Sequence, residues 1–240
     1  MTPHNAENYG IGGYSHEFLC REGKKGGGIS LYIKDNINFI NRKDLNVMEN
    51  HIEALFIEIT KDENNISKNC LVCVVYRPPN TDINLFTNSF SEILQKYDLS
   101  KNSIYIMGDL NINLLNIDNH LPSSEFIESF YSHGIFPLIN KPTRVSDNST
   151  TLIDNILTNE VLNENMINGI FYTKITDHFP VFSINCSKII EKPKFFRKTR
   201  FYSEKNIALF KQKINANNFE DVSQILDGKR AFHTFYKQFC

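Results

Sequence analysis

The sequence predicts an α/β protein in which helices pack against a β-sheet. Strand-like runs rich in β-branched and aromatic residues alternate along the chain with segments of helical hydrophobic spacing. The run 71–76 is apolar at nearly every position, which is typical of a strand buried on both faces. The chain has 240 residues, of which 41% are hydrophobic and 22% are charged, so it can build one large packed domain.

The first predicted elements are a turn and a series of strands. Residues 1–20 carry no periodic pattern, and Lys24-Lys25-Gly26-Gly27-Gly28 predicts a hairpin turn because three glycines are costly inside a helix or strand. Proline cannot donate to a strand ladder, so Pro78 and Pro79 end the buried strand. The predicted strands cover residues 29–33, 55–59, 71–76, 103–107, 152–157, 169–173 and 179–185.

Two helices are predicted between these strands. Residues 82–97 have apolar side chains at helical spacing, and Asp82 is placed to cap the first turn. The second predicted helix contains Phe126 and Tyr131 and ends at Gly134.

The composition changes near Lys188. Residues 188–200 hold six Lys or Arg against one Glu, which indicates a solvated basic linker or a strip that binds nucleic acid. The predicted domains are therefore an α/β domain over 1–187, a basic linker over 188–202 and a helical connector over 203–240.

Charge and cysteine content exclude several classes of protein. Lys and Arg number 26 against 27 Asp and Glu, so the net charge of −1 argues against a histone-like nucleic-acid binder. No apolar run approaches the roughly 20 residues of a membrane span, and the N-terminal residues lack the apolar region of a signal peptide. Five Cys, an odd number, favour an intracellular, reducing compartment. Cys70 and Cys73 fall on opposite faces of a strand, so a shared zinc ion is disfavoured.

Polar residues at strand ends are the most informative feature of the sequence. Asp109 and Asn111 directly follow a predicted strand, and Asp177 and His178 directly precede another. Each pair taken alone is also typical of a turn or a solvated loop. Asp154 lies within an apolar run, where a carboxylate is costly unless it has a partner, and His178 is the available imidazole. Such a set suits Mg²⁺ and phosphoryl transfer.

The ordered motifs resemble the endonuclease/exonuclease/phosphatase superfamily, and within it the apurinic-like endonuclease of jockey-type non-LTR retrotransposons. The resemblance covers residues from about Ile11 to Ile184. Its motifs are Gly26-Gly27-Gly28-Ile29-Ser30-Leu31-Tyr32-Ile33, Val75-Tyr76-Arg77-Pro78-Pro79-Asn80, Met107-Gly108-Asp109-Leu110-Asn111, Lys141-Pro142-Thr143-Arg144, Thr151-Leu152-Ile153-Asp154-Asn155-Ile156 and Thr176-Asp177-His178-Phe179-Pro180.

The resemblance implies a fold and a reaction. The fold would be a four-layer α/β/β/α sandwich, missing its first strands, with a helical C-terminal tail that in such elements leads into a reverse transcriptase. The reaction would be hydrolysis of a DNA phosphodiester that depends on Mg²⁺, with Mn²⁺ as the alternative ion. The implied partner is DNA, with action in the nucleus and no membrane association.

The resemblance also implies roles for single residues. Asp109 would orient or deprotonate the attacking water, and Asn111 would hold the scissile phosphate. His178 would stabilise the transition state while Asp154 fixes its ring. Tyr76 would contact the phosphate or the leaving group, and Asp177 would belong to the metal site. Substrate binding is assigned to Thr143, Arg77 and Asn155.

One departure from the family pattern leaves alternatives open. The family begins with a strand that carries an Asn and a strand that ends in a Glu, its principal metal ligand, and nothing before Gly10 matches either. We therefore expect an N-terminally incomplete domain with weakened metal binding. The alternatives are a catalytically inactive remnant of the same fold, and a phosphatase or phosphodiesterase that acts on a small molecule or lipid.

Overall fold

A computed structural model describes most of the chain. The described residues are 8–21, 27–61, 66–146, 148–161, 165–173, 175–185, 203–216 and 219–239. The chain divides into two compact units, Met1–Ile190 and Glu191–Cys240. The predicted basic linker lies almost wholly outside the described residues.

The first unit contains the strands and two longer helices. The strands are β1 (Tyr14–Leu19), β2 (Ile29–Lys34), β3 (Phe39–Asn41), β4 (Val47–Met48), β5 (Glu53–Ile59), β6 (Cys70–Tyr76), β7 (Ser103–Asp109), β8 (Phe136–Pro137), β9 (Arg144–Ser146), β10 (Ser149–Thr151), β11 (Asp154–Thr158), β12 (Met166–Ile170) and β13 (Val181–Asn185). The helices are α1 (Ile83–Leu94) and α2 (Leu121–Ser132), with a 3-10 helix at Leu114–Asn119.

A seven-stranded sheet forms the centre of this unit. Its strand order is β3-β5-β6-β7-β11-β8, and β4 also pairs with β5. The β6–β7 pair is parallel, because α1 provides the crossover between them, and the other pairs are antiparallel. Three antiparallel hairpins, β1–β2, β9–β10 and β12–β13, lie outside this sheet.

The two faces of the central sheet carry different partners. On one face Phe56 packs with the aromatic side chains of α1 and α2, where the Phe90 and Phe130 rings lie 5.6 Å apart. On the other face Leu55 and Ile57 pack with residues of the β1–β2 hairpin. Burial on both faces explains the continuous apolar run of β6. The predicted α/β fold is confirmed.

The element boundaries agree with the sequence prediction only in part. Helix α1 begins after Asp82, whose side chain accepts a hydrogen bond from the Asn84 backbone N–H at 2.8 Å, as predicted. Strand β1 was not predicted, because its residues are neither fully buried nor regularly alternating. Strand β11 begins at Asp154, two residues later than expected, and β12 ends at Ile170 rather than 173.

The second unit is helical. It contains α3 (Glu204–Ala216), α4 (Glu220–Ser223) and α5 (Gly228–Phe239), so the predicted helical tail is confirmed. Apolar side chains of these helices, including Phe210 and Phe232, are largely exposed. Within the described part of the chain, no helix combines the length and apolarity required to cross a bilayer.

Candidate active site

Four side chains occupy one row across the central sheet. Glu53 on β5 lies opposite Tyr76 on β6, Tyr76 lies beside Asp109 on β7, and Asp109 lies opposite Asp154 on β11. Neighbouring strands are about 4.8 Å apart, so the row spans about 14 Å from Glu53 to Asp154. Side chains in register on adjacent strands point to the same face. The row therefore brings three carboxylates and a phenol to one edge of that face.

The end of β7 requires glycine. Gly108 has a φ of 149°, and a Cβ there would lie 1.8 Å from the backbone carbonyl oxygen of Val75. Any side chain would force β6 and β7 apart at the point where Tyr76 and Asp109 meet. The Gly-Asp-x-Asn motif thus reflects strand packing as well as turn formation.

Asn111 is held in the left-handed region with a φ of 48°, which Asn tolerates better than most residues. Its backbone N–H donates to Asp109 Oδ1 at 2.9 Å, and its side-chain amide donates to Asp109 Oδ2 at 3.1 Å. The same amide donates to the Arg77 carbonyl oxygen at 2.8 Å. Asn111 therefore orients the Asp109 carboxylate.

Asp154 and His178 form a second pair beside Asp109. His178 Nδ1 lies 2.9 Å from Asp154 Oδ2 and 3.1 Å from Oδ1. One ligand atom from each of Asp109, Asp154 and His178 lies within 4.8 Å of the others. Burial, reinforced by the Asp154 carboxylate, raises the pKa of Asp109, and the Asn111 N–H opposes this shift. The structure thus brings together the three residues on which the predicted chemistry depends.

This cluster suits a divalent cation. The cluster offers carboxylate oxygens, which Mg²⁺ and Mn²⁺ bind with the remaining positions filled by water or phosphate oxygens. Asp109 would supply an oxygen ligand, while Asp154 stays hydrogen bonded to His178 Nδ1. A cation there would also neutralise the Asp154 charge, which adds to the effect of burial in raising the pKa of Asp109.

Asp177 lies outside this cluster. Its Oδ2 accepts a hydrogen bond from Arg144 Nε at 2.8 Å, and both side chains are nearly half exposed. The Arg144 guanidinium lowers the pKa of Asp177. Arg144 also forms an isolated β-bridge with His178, so this ion pair lies next to the cluster, and the metal role of Asp177 stays a prediction.

The three residues assigned to substrate binding are all buried and bond the backbone. Thr143 Oγ1 accepts from the Asp154 N–H at 3.0 Å, and the Asn155 amide donates to the Ile139 carbonyl oxygen at 2.9 Å. Arg77, only 3% exposed, donates to the carbonyl oxygens of Leu110 and Asn111 at 2.8 and 2.6 Å. These contacts hold the backbone beside the site, and the substrate-binding roles of the three residues stay predictions.

Tyr76 lies in the row between Glu53 and Asp109. It is partly buried, and burial together with the Asp109 carboxylate raises the pKa of its phenol. The hydroxyl therefore remains protonated at neutral pH and can donate a hydrogen bond.

Sequence reasoning missed Glu53 and its partner Arg21. Glu53 is fully buried and forms an ion pair with Arg21. The signal that drew attention to Asp154, a carboxylate within an apolar run, is equally present at Ile52-Glu53-Ala54-Leu55. No sequence signal identified Arg21, because its partner is 32 residues away.

Comparison with known proteins agrees with this geometry. Residues 70–182 match the sequence model of a family described as endonuclease-reverse transcriptase. No curated protein matches the chain.

Solved structures give a likeness in fold. The endonuclease domain of TRAS1, a telomere-specific non-LTR retrotransposon, is 14% identical with a TM-score of 0.58, over 74% of this chain and 83% of that one. The 3′ phosphatase NExo from Neisseria, bound to a product DNA hairpin, is 11% identical with a TM-score of 0.50, over 72% and 80% of the two chains. The chain is therefore similar in sequence, over residues 70–182, to the endonuclease-reverse transcriptase family, and it shares the fold of these two solved structures.

Proposed function

We propose that this chain is a DNA endonuclease that hydrolyses a phosphodiester with the help of a divalent cation, Mg²⁺ or Mn²⁺. One observation carries this proposal: Asp154, the neighbour of Asp109 in the row, forms a hydrogen bond with His178. The names of two fold neighbours, a retrotransposon endonuclease domain and a phosphatase bound to DNA, support a nucleic-acid substrate.

Each side chain of the cluster has a task in this proposal. Asp109, oriented by Asn111, holds the attacking water and accepts its proton. His178, fixed through Nδ1 by Asp154, donates from Nε2 to a phosphate oxygen as negative charge develops there. Tyr76 donates its hydroxyl to the phosphate or to the leaving oxygen. A bound cation would add neutralisation of the phosphate charge.

Plasmid nicking tests the proposal. The purified chain with Mg²⁺ is expected to convert supercoiled plasmid into relaxed circles, and EDTA is expected to stop the reaction. Asp109→Ala and His178→Ala should each slow nicking by about 10²-fold or more. The matched control is His120→Ala, because within the described part of the chain the His120 ring bonds Ser123 at the first turn of α2, and its loss should leave the rate unchanged.

Three outcomes would contradict the proposal. Nicking that survives both substitutions would show that other groups do the chemistry. A folded wild-type chain without activity would favour the inactive remnant. Turnover of inositol phosphates or sphingomyelin, with plasmid left intact, would favour a phosphatase or phosphodiesterase. Action on nuclear DNA belongs to the same proposal and depends on the first result.

A further inference from the structure

A cavity of about 770 Å³ lies next to the Glu53 end of the row. Met48, which pairs with Glu53 on the neighbouring strand, lines it, so the cavity continues the row beyond the catalytic cluster. Pro78, two residues after Tyr76, lines another part of it. The volume falls in the range of sites that bind small molecules or single nucleotides.

A buried ion pair fixes one wall of this cavity. Glu53 is fully buried, and its two oxygens accept hydrogen bonds from Arg21 and from the Gly28 backbone N–H, the latter at 2.8 Å. Gly27 provides the necessary space, because a Cβ there would lie 2.5 Å from the guanidinium carbon of Arg21. The Arg21 side chain is 27% exposed, and its guanidinium carbon lies 6.0 Å from the centre of the Tyr76 ring. Arg21 is therefore held by Glu53 at the wall of the cavity, next to Tyr76 of the row.

The charges around the cavity favour a neutral ligand over a phosphate. Glu53 neutralises Arg21, and the Glu49 carboxylate also lines the cavity, 3.5 Å from His51 Nε2. Among the described lining residues, a phosphate would thus meet a carboxylate without a surplus Lys or Arg. A nucleobase is uncharged and carries donors and acceptors on its edges, which suit the Arg21 guanidinium and the Glu49 carboxylate. Met48 and Pro78 offer apolar contact to its faces.

We propose that this cavity binds one nucleobase of the DNA strand that the catalytic cluster cleaves, three or four nucleotides from the scissile phosphate. This inference rests on the proposed function for the identity of the substrate. Glu53 and Met48 lie two and three strand spacings from Asp109, or about 10 and 14 Å, and one step of B-form DNA advances about 3.4 Å. The cavity would therefore contribute to the choice of cleavage site.

A missing-base scan of DNA binding tests the inference. Duplexes that each lack one base, replaced by tetrahydrofuran at successive positions, are titrated against the full chain in EDTA, and binding is followed by fluorescence anisotropy. We expect one or two adjacent gaps to weaken wild-type binding by about fivefold or more. The variant Asn50→Trp, which fills the cavity mouth, should remove this dependence on position.

The choice of variants keeps the fold intact. Arg21 is not substituted, because its loss would leave Glu53 buried without a cation. The matched control is Asn36→Trp, because Asn36 is also exposed. Asn36 follows β2 at one end of the β1–β2 hairpin, whereas Arg21 follows β1 at the other end. Circular dichroism checks that both variants are folded, and Asn36→Trp should retain the wild-type pattern.

The results separate this inference from the proposed function. A flat profile for the wild-type chain, or a profile that persists in Asn50→Trp, would overturn the nucleobase site even if the chain nicks plasmid. A position-dependent profile from a chain that never nicks DNA would overturn the endonuclease and leave the binding site standing.

Discussion

Removal of the Arg21 guanidinium should destabilise the first unit strongly. In Arg21→Met, the Glu53 carboxylate remains fully buried and still accepts a hydrogen bond from the Gly28 N–H, so it keeps its desolvation cost without its cation. Breaking a fully buried ion pair costs about 3–5 kcal/mol. Because the Arg21 side chain is 27% exposed, solvent screens part of this interaction, and we expect a loss of about 2–4 kcal/mol.

The double variant separates pairing from packing. Glu53→Met alone should cost less, about 1–2 kcal/mol, because Arg21 can turn its charge towards solvent. Arg21→Met with Glu53→Met removes both charges and fills the site with apolar atoms, so its loss should be about 1 kcal/mol or smaller. The single losses therefore should not add.

Urea unfolding of the full chain at pH 7 measures these losses. The sequence has no Trp, so far-UV circular dichroism is the suitable signal. A loss below about 0.5 kcal/mol for Arg21→Met, or a double variant whose loss equals the sum of the single losses, would refute the reasoning. The first result would mean that the carboxylate is solvated, and the second that the two residues act separately.

Three further predictions concern the strand end, the site electrostatics and the thiols. Gly108→Ala should cost about 3 kcal/mol or more in urea unfolding and abolish nicking, since its Cβ would meet a backbone carbonyl at 1.8 Å; a stable, active variant would contradict the packing described for this strand pair. Arg144→Gln should move the acid limb of the single-turnover pH profile to higher pH, because the guanidinium lowers the pKa of Asp109, which must be deprotonated to act; an unchanged or downward-shifted limb would argue against that role. Iodoacetamide at pH 7.5 should leave Cys70 and Cys73 unlabelled in the native chain and label both in urea, as read by peptide mass spectrometry. The reason is that burial raises the pKa of Cys70 to about 12 and that of Cys73 well above its usual range.

Local sequence pattern was enough to predict the strands that carry the site. Strand β6 is buried on both faces and β7 ends in a Gly-Asp-x-Asn turn, so each has a signal within a short window of sequence. The cost of burying Asp154 pointed to His178 as its partner, and the two side chains do form a hydrogen bond.

Long-range partners could not be predicted in the same way. Asp177 precedes His178 directly, but its carboxylate bonds Arg144, which lies 33 residues earlier in the chain. Arg77 looked available to substrate, yet its donors are used by the backbone of a loop 33 and 34 residues away. Strand β1 shows no alternation of buried and exposed residues, because five of its six side chains are partly buried.

A kinetic double-mutant cycle on Asp154 and His178 tests the central claim most directly. The claim is that Asp154 acts on the phosphate only through the ring of His178, which it holds at 2.9 Å. Single-turnover nicking should therefore slow by about 10²-fold in Asp154→Asn and by at least as much in His178→Ala, and the double variant should be no slower than His178→Ala alone. Losses that multiply in the double variant would show two independent contributions and would contradict a single shared site.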